Sequence, residues 1–216
     1  MDPLSALLAF SLAAALLTLT PGLDTALVLR TATVEGGREA MKTGAGVVTG
    51  VLAWGLLASL GLGAVLTVSE VGYRLLRVAG AVYIAWLGAR MVASAVRGPM
   101  AGPEAVGRNR AGADGQRSSR WFWRGLTTNL LNPKVGVFYV GFLPQFIPAG
   151  VPVVGFGVAL AAIHAAMGLI WFATLTLATR PFVRLLRSPR FTRGIDGLTG
   201  TVLIAFSLRL AFDERG

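Results

Sequence analysis

LSALLAFSLAAALLTLTPGLDTALVL, residues 4–29, is 26 residues long and carries a single charge, Asp24. About 20 predominantly apolar residues suffice for a helix to cross the hydrocarbon core of a bilayer. Thr20-Pro21-Gly22 falls inside this stretch, however. Proline removes one helix hydrogen bond and disfavours α geometry in the residue before it. The stretch therefore predicts a membrane span built from two half-helices that meet at Pro21.

The same break recurs further along. Gly125–Ile147 is again apolar, with one charge at Lys134, and is interrupted by Asn129-Leu130-Leu131-Asn132-Pro133-Lys134. Thr20 before Pro21 and Asn132 before Pro133 fit the cap and first-turn preferences of a starting helix, so each is expected to cap the half-helix that follows. Pro21 lies nine residues before Arg30, and Pro133 eight residues after Gly125. At 1.5 Å per residue both breaks sit roughly 12–14 Å from the same membrane face.

Four further stretches read as spans: Thr43–Ser69, Leu75–Val96, Val153–Thr179 and a shorter Gly194–Phe212. Six helices give an all-α integral membrane protein; the alternating ten-residue strands of a closed barrel are not seen. Composition agrees. Charged residues make up 14% of the 216, against about 25% in soluble domains, and AVILMFWYC reach 54% before 28 glycines are added. With no cysteine, disulfides and thiolate metal sites are excluded.

A net charge of +10 would suggest nucleic acid in a soluble protein. Here 14 of the 20 basic residues fall in alternate connections, around residues 30–42, 97–124 and 180–193, and four (Arg74, Arg77, Arg209, Arg215) on the opposite side. That asymmetry places the three basic connections in the cytoplasm and both termini outside. A re-entrant first segment would leave five full spans with the same loops inside. A cleaved signal peptide is not expected, because a basic n-region is missing. Residues 99–121 read as a basic cytoplasmic loop between halves 1–98 and 122–216. Two three-span halves have opposite orientations, the arrangement of inverted-repeat transporters.

Discontinuous helices at corresponding places in two halves are the strongest sequence pointer to a transporter's binding site. Each restarting helix offers free N–H groups and a positive dipole end. Asp24 and Lys134 add one charge of each sign, the complement of a zwitterionic amino acid, although the two could simply pair with each other. The candidate substrate- and proton-binding residues are Thr20, Pro21, Gly22, Asp24, Asn129, Asn132, Pro133 and Lys134. His164, alone in the fifth span, is a further candidate as a proton relay or as a packing residue. Arg90 is close enough to the cytoplasmic end of its span to snorkel. Gly44, Gly46, Gly50, Gly61 and Gly63 are expected to permit close helix packing. Trp121, Trp123 and Tyr139 read as interfacial anchors; Trp54 and Trp171 lie deep in their spans, and no role is assigned to them.

These features resemble the lysine exporter (LysE) family, in its homoserine/threonine exporter (RhtB) branch. The resemblance rests on TPGLD at 20–24, GGREAMKTGAGVVTG at 36–50, GAVYIAWLGARM at 80–91, NLLNPKVGVFYVGFLPQFIP at 129–148 and IDGLTGTVLIAFSLRLA at 195–211. The family usually has proline where Leu23 stands. The resemblance implies proton-driven efflux of amino acids or related metabolites across the bacterial inner membrane. Its signature falls on Pro21, Gly22, Asp24, Asn132, Pro133 and Lys134.

A secondary exporter is the reading that follows, with amino acid, protons and the lipid bilayer as partners and neither cofactor nor metal. A homo-oligomer is compatible with it; a nucleic-acid partner is not expected. A channel or an exporter of another small solute is the alternative. An intramembrane enzyme fits worst, because the chain has a single histidine, no HExxH and few acids.

Overall fold

The computed structural model describes residues 2–68, 117–177 and 188–212, together with single positions between 78 and 96. Every regular element among these residues is helical. Helix α1, Pro3–Leu19, begins where Asp2 Oδ1 accepts the Ser5 N–H at 3.0 Å and Pro3 takes the first helical position. It ends at Thr20, because Pro21 has no hydrogen to donate. Helix α2, Leu23–Val34, resumes at an angle of 50° to α1. The first break is therefore present as read from Pro21, although α2 runs past the expected end at Leu29. Gly36 turns the chain with φ 100, a conformation glycine adopts freely, into α3, Gly37–Val68.

Helix α4, Arg117–Leu130, starts inside the stretch expected to be the loop 99–121. Trp121, Gly125 and Asn129 are buried at helical spacing while Arg120, Trp123 and Thr127 are exposed, so the segment folds as an amphipathic helix. The second break follows at Leu131 and Asn132. Helix α5, Pro133–Val137, runs without a gap into a wide π turn over Phe138–Phe142 and a 3₁₀ turn over Leu143–Phe146. Helix α6 spans Val153–Leu177, and α7 spans Pro189–Phe212, starting five residues before the expected Gly194. The connections expected around 97–110 and 180–187, and most of the third span, lie outside the described residues. Those described within Leu75–Val96 are helical.

Among the described residues α3 and α6 are each long and apolar enough to cross a membrane, and α1 with α2 makes a third span if the bent pair is one. α7 carries Arg190, Arg193, Asp196 and Arg209, which lowers its apolar character.

Two kinds of packing hold the helices. Phe10 of α1 meets Phe138 and Phe146 at centroid distances of 5.6 and 5.5 Å, and Phe142 lies 4.8 Å from Phe146. The π turn thus directs its aromatic rings onto α1, with Leu160, Ala161 and Ala165 of α6 closing the cluster. Helices α3 and α4 instead meet backbone to backbone. A Cβ on Gly46 would strike the Phe122 carbonyl, one on Gly125 the Thr43 carbonyl, and one on Gly44 the Phe172 Cβ at 3.1 Å. The packing role expected of Gly44, Gly46 and Gly50 holds. Among the described residues, a Cβ on Gly61 would meet nothing within 4 Å and one on Gly63 only Val154 at 3.9 Å.

The aromatic anchors divide. Trp123 is exposed, as an anchor requires, but Trp121 is buried beneath Arg124, 5.4 Å from its ring. Tyr139 is fully buried and is no anchor, because the π turn rotates it inward. Arg90 is exposed and lies over Trp86 at 4.9 Å, consistent with snorkelling.

Gly125→Val should force α3 and α4 apart and destabilise the protein by about 1–3 kcal/mol or more. Gly61→Ala should change stability by less than about 0.5 kcal/mol. Thermal unfolding of the two purified variants in detergent checks the contrast; equal melting temperatures would disprove the crossing.

Candidate functional site

The two breaks meet. A cavity of about 50 Å³ lies between them, lined by Thr20, Gly22, Asp24, Asn129, Asn132, Lys134 and His164 and walled by Val47, Val48, Val51 and Phe172. Seven of the nine residues singled out in the sequence therefore surround one space. The other two, Pro21 and Pro133, act through the backbone.

Their action is specific. In an unbroken helix the Leu17 carbonyl would accept from the nitrogen of residue 21, which is proline. Lys134 Nζ takes that place, donating to Leu17 O and to Thr20 O, each at 3.2 Å. At the other break Pro133 deprives the Asn129 carbonyl in the same way. That oxygen accepts instead from Asn132 N at 3.0 Å and Trp54 Nε1 at 3.4 Å. Water cannot satisfy such carbonyls inside a bilayer, so the protein must. A hydrogen bond from a charged donor is worth about 1.5–3 kcal/mol, and the ammonium also faces the negative dipole end of α1.

Asp24 sits in the first turn of α2 and is held from the opposite half of the chain. Its Oδ2 accepts from Asn129 Nδ2 at 2.9 Å and Asn132 Nδ2 at 3.1 Å, while Oδ1 is buried with no hydrogen-bond partner. Asp24 and Lys134 do not pair. Among the described residues the ion pair within 4.0 Å is Lys42–Glu39. The acid is held by amides and the base by carbonyls, which leaves both charges beside the cavity.

Asn132 caps as expected: its Oδ1 accepts the Lys134 N–H at 3.1 Å. Thr20 does not cap α2. It closes α1, its hydroxyl donating to Leu16 O at 2.6 Å, and the extended Gly22 is the cap of α2 without any side-chain bond. With its own hydrogen committed, Thr20 Oγ1 accepts from Thr199 Oγ1, 2.7 Å away on α7. Asn129 Oδ1 is turned towards Gly50, where a Cβ would lie 2.5 Å from it.

Four contributors were not singled out as site residues. Thr199 anchors the first break to α7. Asp196, one turn earlier on the same helix and half-buried, acts electrostatically on Lys134 together with Asp24. It carries the same signal as Asp24, an ionisable residue inside a predicted span. Tyr139 contacts His164, and Trp171 Nε1 reaches Thr25 Oγ1 at 3.4 Å. An indole or phenol deep in an apolar span implies a polar partner.

Two interrupted helices exchanging polar groups around a small cavity, within a scaffold of apolar helices, define a membrane translocator. The comparisons with known proteins agree. Residues 15–214 match the family described as LysE type translocator, and the chain belongs to that family. A threonine efflux protein of Escherichia coli K12 is 29% identical over 199 residues, covering 89% of this chain and 90% of that protein. A leucine efflux protein of Enterobacter sp. strain 638 is 29% identical over 198 residues, covering 90% of each. The membrane protein YrhP of Bacillus subtilis is 26% identical over 203 residues, covering 94% of this chain and 97% of its own. No solved structure matches the chain.

Gly50→Ala should push Asn129 away and release one of the two amides that hold Asp24. The expected result is a loss of about 1–3 kcal/mol of stability. Unfolding of the variant in detergent, compared with Gly50→Ala in an Asn129→Ala background, checks it. The second substitution should recover most of the loss if the Asn129 side chain is what the methyl strikes.

Proposed function

We propose that the protein exports amino acids from the cytoplasm across the inner membrane by alternating access, driven by proton influx. One observation carries this reading: one cavity is lined both by Asp24, whose Oδ1 is buried with no donor among the described residues, and by Lys134, whose ammonium spends two of its three N–H groups on backbone carbonyls. An α-ammonium group completes the first and an α-carboxylate the second, so the cavity complements a zwitterion. The threonine and leucine efflux proteins to which the chain is similar favour the same class. Asp24 is the group proposed to exchange between proton and substrate ammonium.

In this reading the chain forms two inverted three-span halves with the basic connections in the cytoplasm. Aligning the breaks supports the repeat. Thr20-Pro21 falls on Asn132-Pro133, Gly44-Ala45-Gly46-Val47 on Gly155-Phe156-Gly157-Val158, and GAVYIAW at 80–86 on GTVLIAF at 200–206. The first two matches are 112 and 111 residues apart and the third 120, as a longer connection in the second half would require. The halves would rock about the cavity, opening it to each side in turn.

Cells loaded with a mixture of amino acids and expressing the protein should release at least one of them several-fold faster than cells without it. A protonophore should abolish the difference. Asp24→Asn and Lys134→Ala should each lower efflux at least ten-fold at equal membrane abundance. Wild-type rates in both variants would refute the site, and efflux indifferent to the protonophore would refute the coupling.

A further inference from the structure

Helix α4 carries one face that neither the cavity nor the helix packing uses. Arg120, Arg124, Thr127 and Leu131 recur at spacings of four, three and four residues, and Leu131 N still donates to Thr127 O at 3.0 Å, so all four lie along one side of the helix. Arg120, Thr127 and Leu131 are exposed, and Arg124 lies over the Trp121 ring. The face is cationic where the helix starts and apolar where it ends.

Arg30 of α2 joins the cationic end. Asp24 of α2 is bonded to Asn129 of α4 at 2.9 Å, and Arg30 lies six residues after the first, Arg124 five before the second, each leading away from the break. At 1.5 Å per residue both are roughly 7–9 Å along their helices from that bond. Electrostatics agree with this placement. Partial burial, then the neighbouring Arg30 and Arg120, hold the Arg124 guanidinium below the usual arginine range, with Glu35 opposing from beyond ion-pair distance. Among the described residues no hydrogen bond or ion pair engages any of the three guanidinium groups. Three like charges gathered in this way repel one another, and a phosphate, which guanidinium binds in bidentate fashion, removes the repulsion. Trp123 is exposed beside them, an indole suited to the headgroup level of a bilayer.

At the other end Leu131 is 81% exposed and forms, with Trp54, Leu130, Pro133, Val137 and Val140, an open groove of about 310 Å³ beside the second break. The polar side-chain groups along it are already bonded elsewhere: Asn132 to Asp24 and the Lys134 N–H, Trp54 Nε1 to the Asn129 carbonyl. What remains for an occupant is contact with hydrocarbon. Leu131 lies seven residues past Arg124, about 10 Å further along the axis, within the roughly 15 Å that one leaflet contributes to the hydrocarbon core. A molecule with a phosphate at one end and an acyl chain at the other matches both ends of the face at this separation.

We propose that this face binds an anionic phospholipid of the leaflet bordering the basic connections, its phosphate on Arg30, Arg120 and Arg124 and one acyl chain in the groove along Leu131 and Val140. A second copy of the chain suits the face less well, because a two-fold axis along the membrane normal would bring two sets of three arginines to the same level. Basic pockets at the membrane surface recognise anionic headgroups in this way. The inference rests on the packing of α2 with α4 and is independent of the substrate.

Native mass spectrometry of the full chain in dodecyl maltoside, titrated with one probe at a time, reads both bound lipid and copy number. Dioleoylphosphatidylglycerol should be retained at about five-fold higher occupancy or more than dioleoylphosphatidylcholine, and glycerol 3-phosphate, the headgroup without chains, should not be retained. Arg30→Gln with Arg120→Gln, which leaves Arg124 on Trp121, should lower phosphatidylglycerol occupancy by about five-fold or more. Arg190→Gln with Arg193→Gln, the same loss of charge on α7, should leave it unchanged. Val140→Trp, which fills the groove from an exposed position, should lower it too. Equal retention of the two lipids, unchanged occupancy in the Arg30/Arg120 pair, an equal loss in the Arg190/Arg193 pair, or retention of glycerol 3-phosphate as strong as that of the lipid overturns the proposal. So does a Val140→Trp chain that sheds a second copy while keeping its lipid, which would assign the groove to self-association.

Discussion

The hydrogen bond from Lys134 to the Leu17 carbonyl is the contact on which the rest of the structure turns. Pro21 leaves that carbonyl without its helical donor, and a buried carbonyl left unpaired costs kilocalories. The replacement donor comes from a residue 117 positions away, at the start of the other broken helix. A lysine ammonium in the same surroundings would be equally costly without acceptors. Each half of the contact makes the other tolerable, which accounts for a proline and a lysine both lying within apolar stretches.

Four such bonds run the same way, from donors at the second break to acceptors at the first. Lys134, from the second break, satisfies carbonyls of the first; Asn129 and Asn132, also from the second, hold Asp24 of the first. Neither break is complete without the other. In the proposed mechanism, motion of one half against the other would alter the very bonds that line the cavity, and a ligand bonding to the same groups would bias that motion by its differential affinity for the two arrangements. Thr199 extends the coupling to α7 through the Thr20 hydroxyl, so a third element senses the break. The near approach of α3 to α4 belongs to the same design: only a glycine at position 50 leaves room for the Asn129 amide that grips Asp24.

Much of this was legible in the sequence for a physical reason. Proline within an apolar run has few outcomes, and a charged residue beside it in a membrane has fewer, so the breaks, their facing positions and the seven cavity residues could be read directly. What failed were choices of direction. Threonine before proline has two uses for its hydroxyl, forward to cap the next helix or back to the preceding turn. Thr20 takes the second because α2 restarts only at Leu23. Tyr139 resembled an interfacial anchor because helical periodicity assumes a constant 100° per residue; the π turn at Phe138–Phe142 shifts that phase and turns the ring inward. Asp196 carries the same signal as Asp24, an acid inside an expected span, but only the packing of α7 against the first break brings it near Lys134.

The same π turn links the second broken helix to His164 of α6. A regular helix continuing from Pro133 would carry the next aromatic positions around at a different phase, and the stack of Tyr139 on His164 depends on the added width of the turn. π turns are commonly kept at functional sites because the extra residue costs helix stability. Here the extra residue aims a phenol at an imidazole that borders the cavity. The second broken helix then has two jobs along one short stretch. Its start supplies the ammonium and amides that complete the first break, and its wide turn sets Tyr139 against His164.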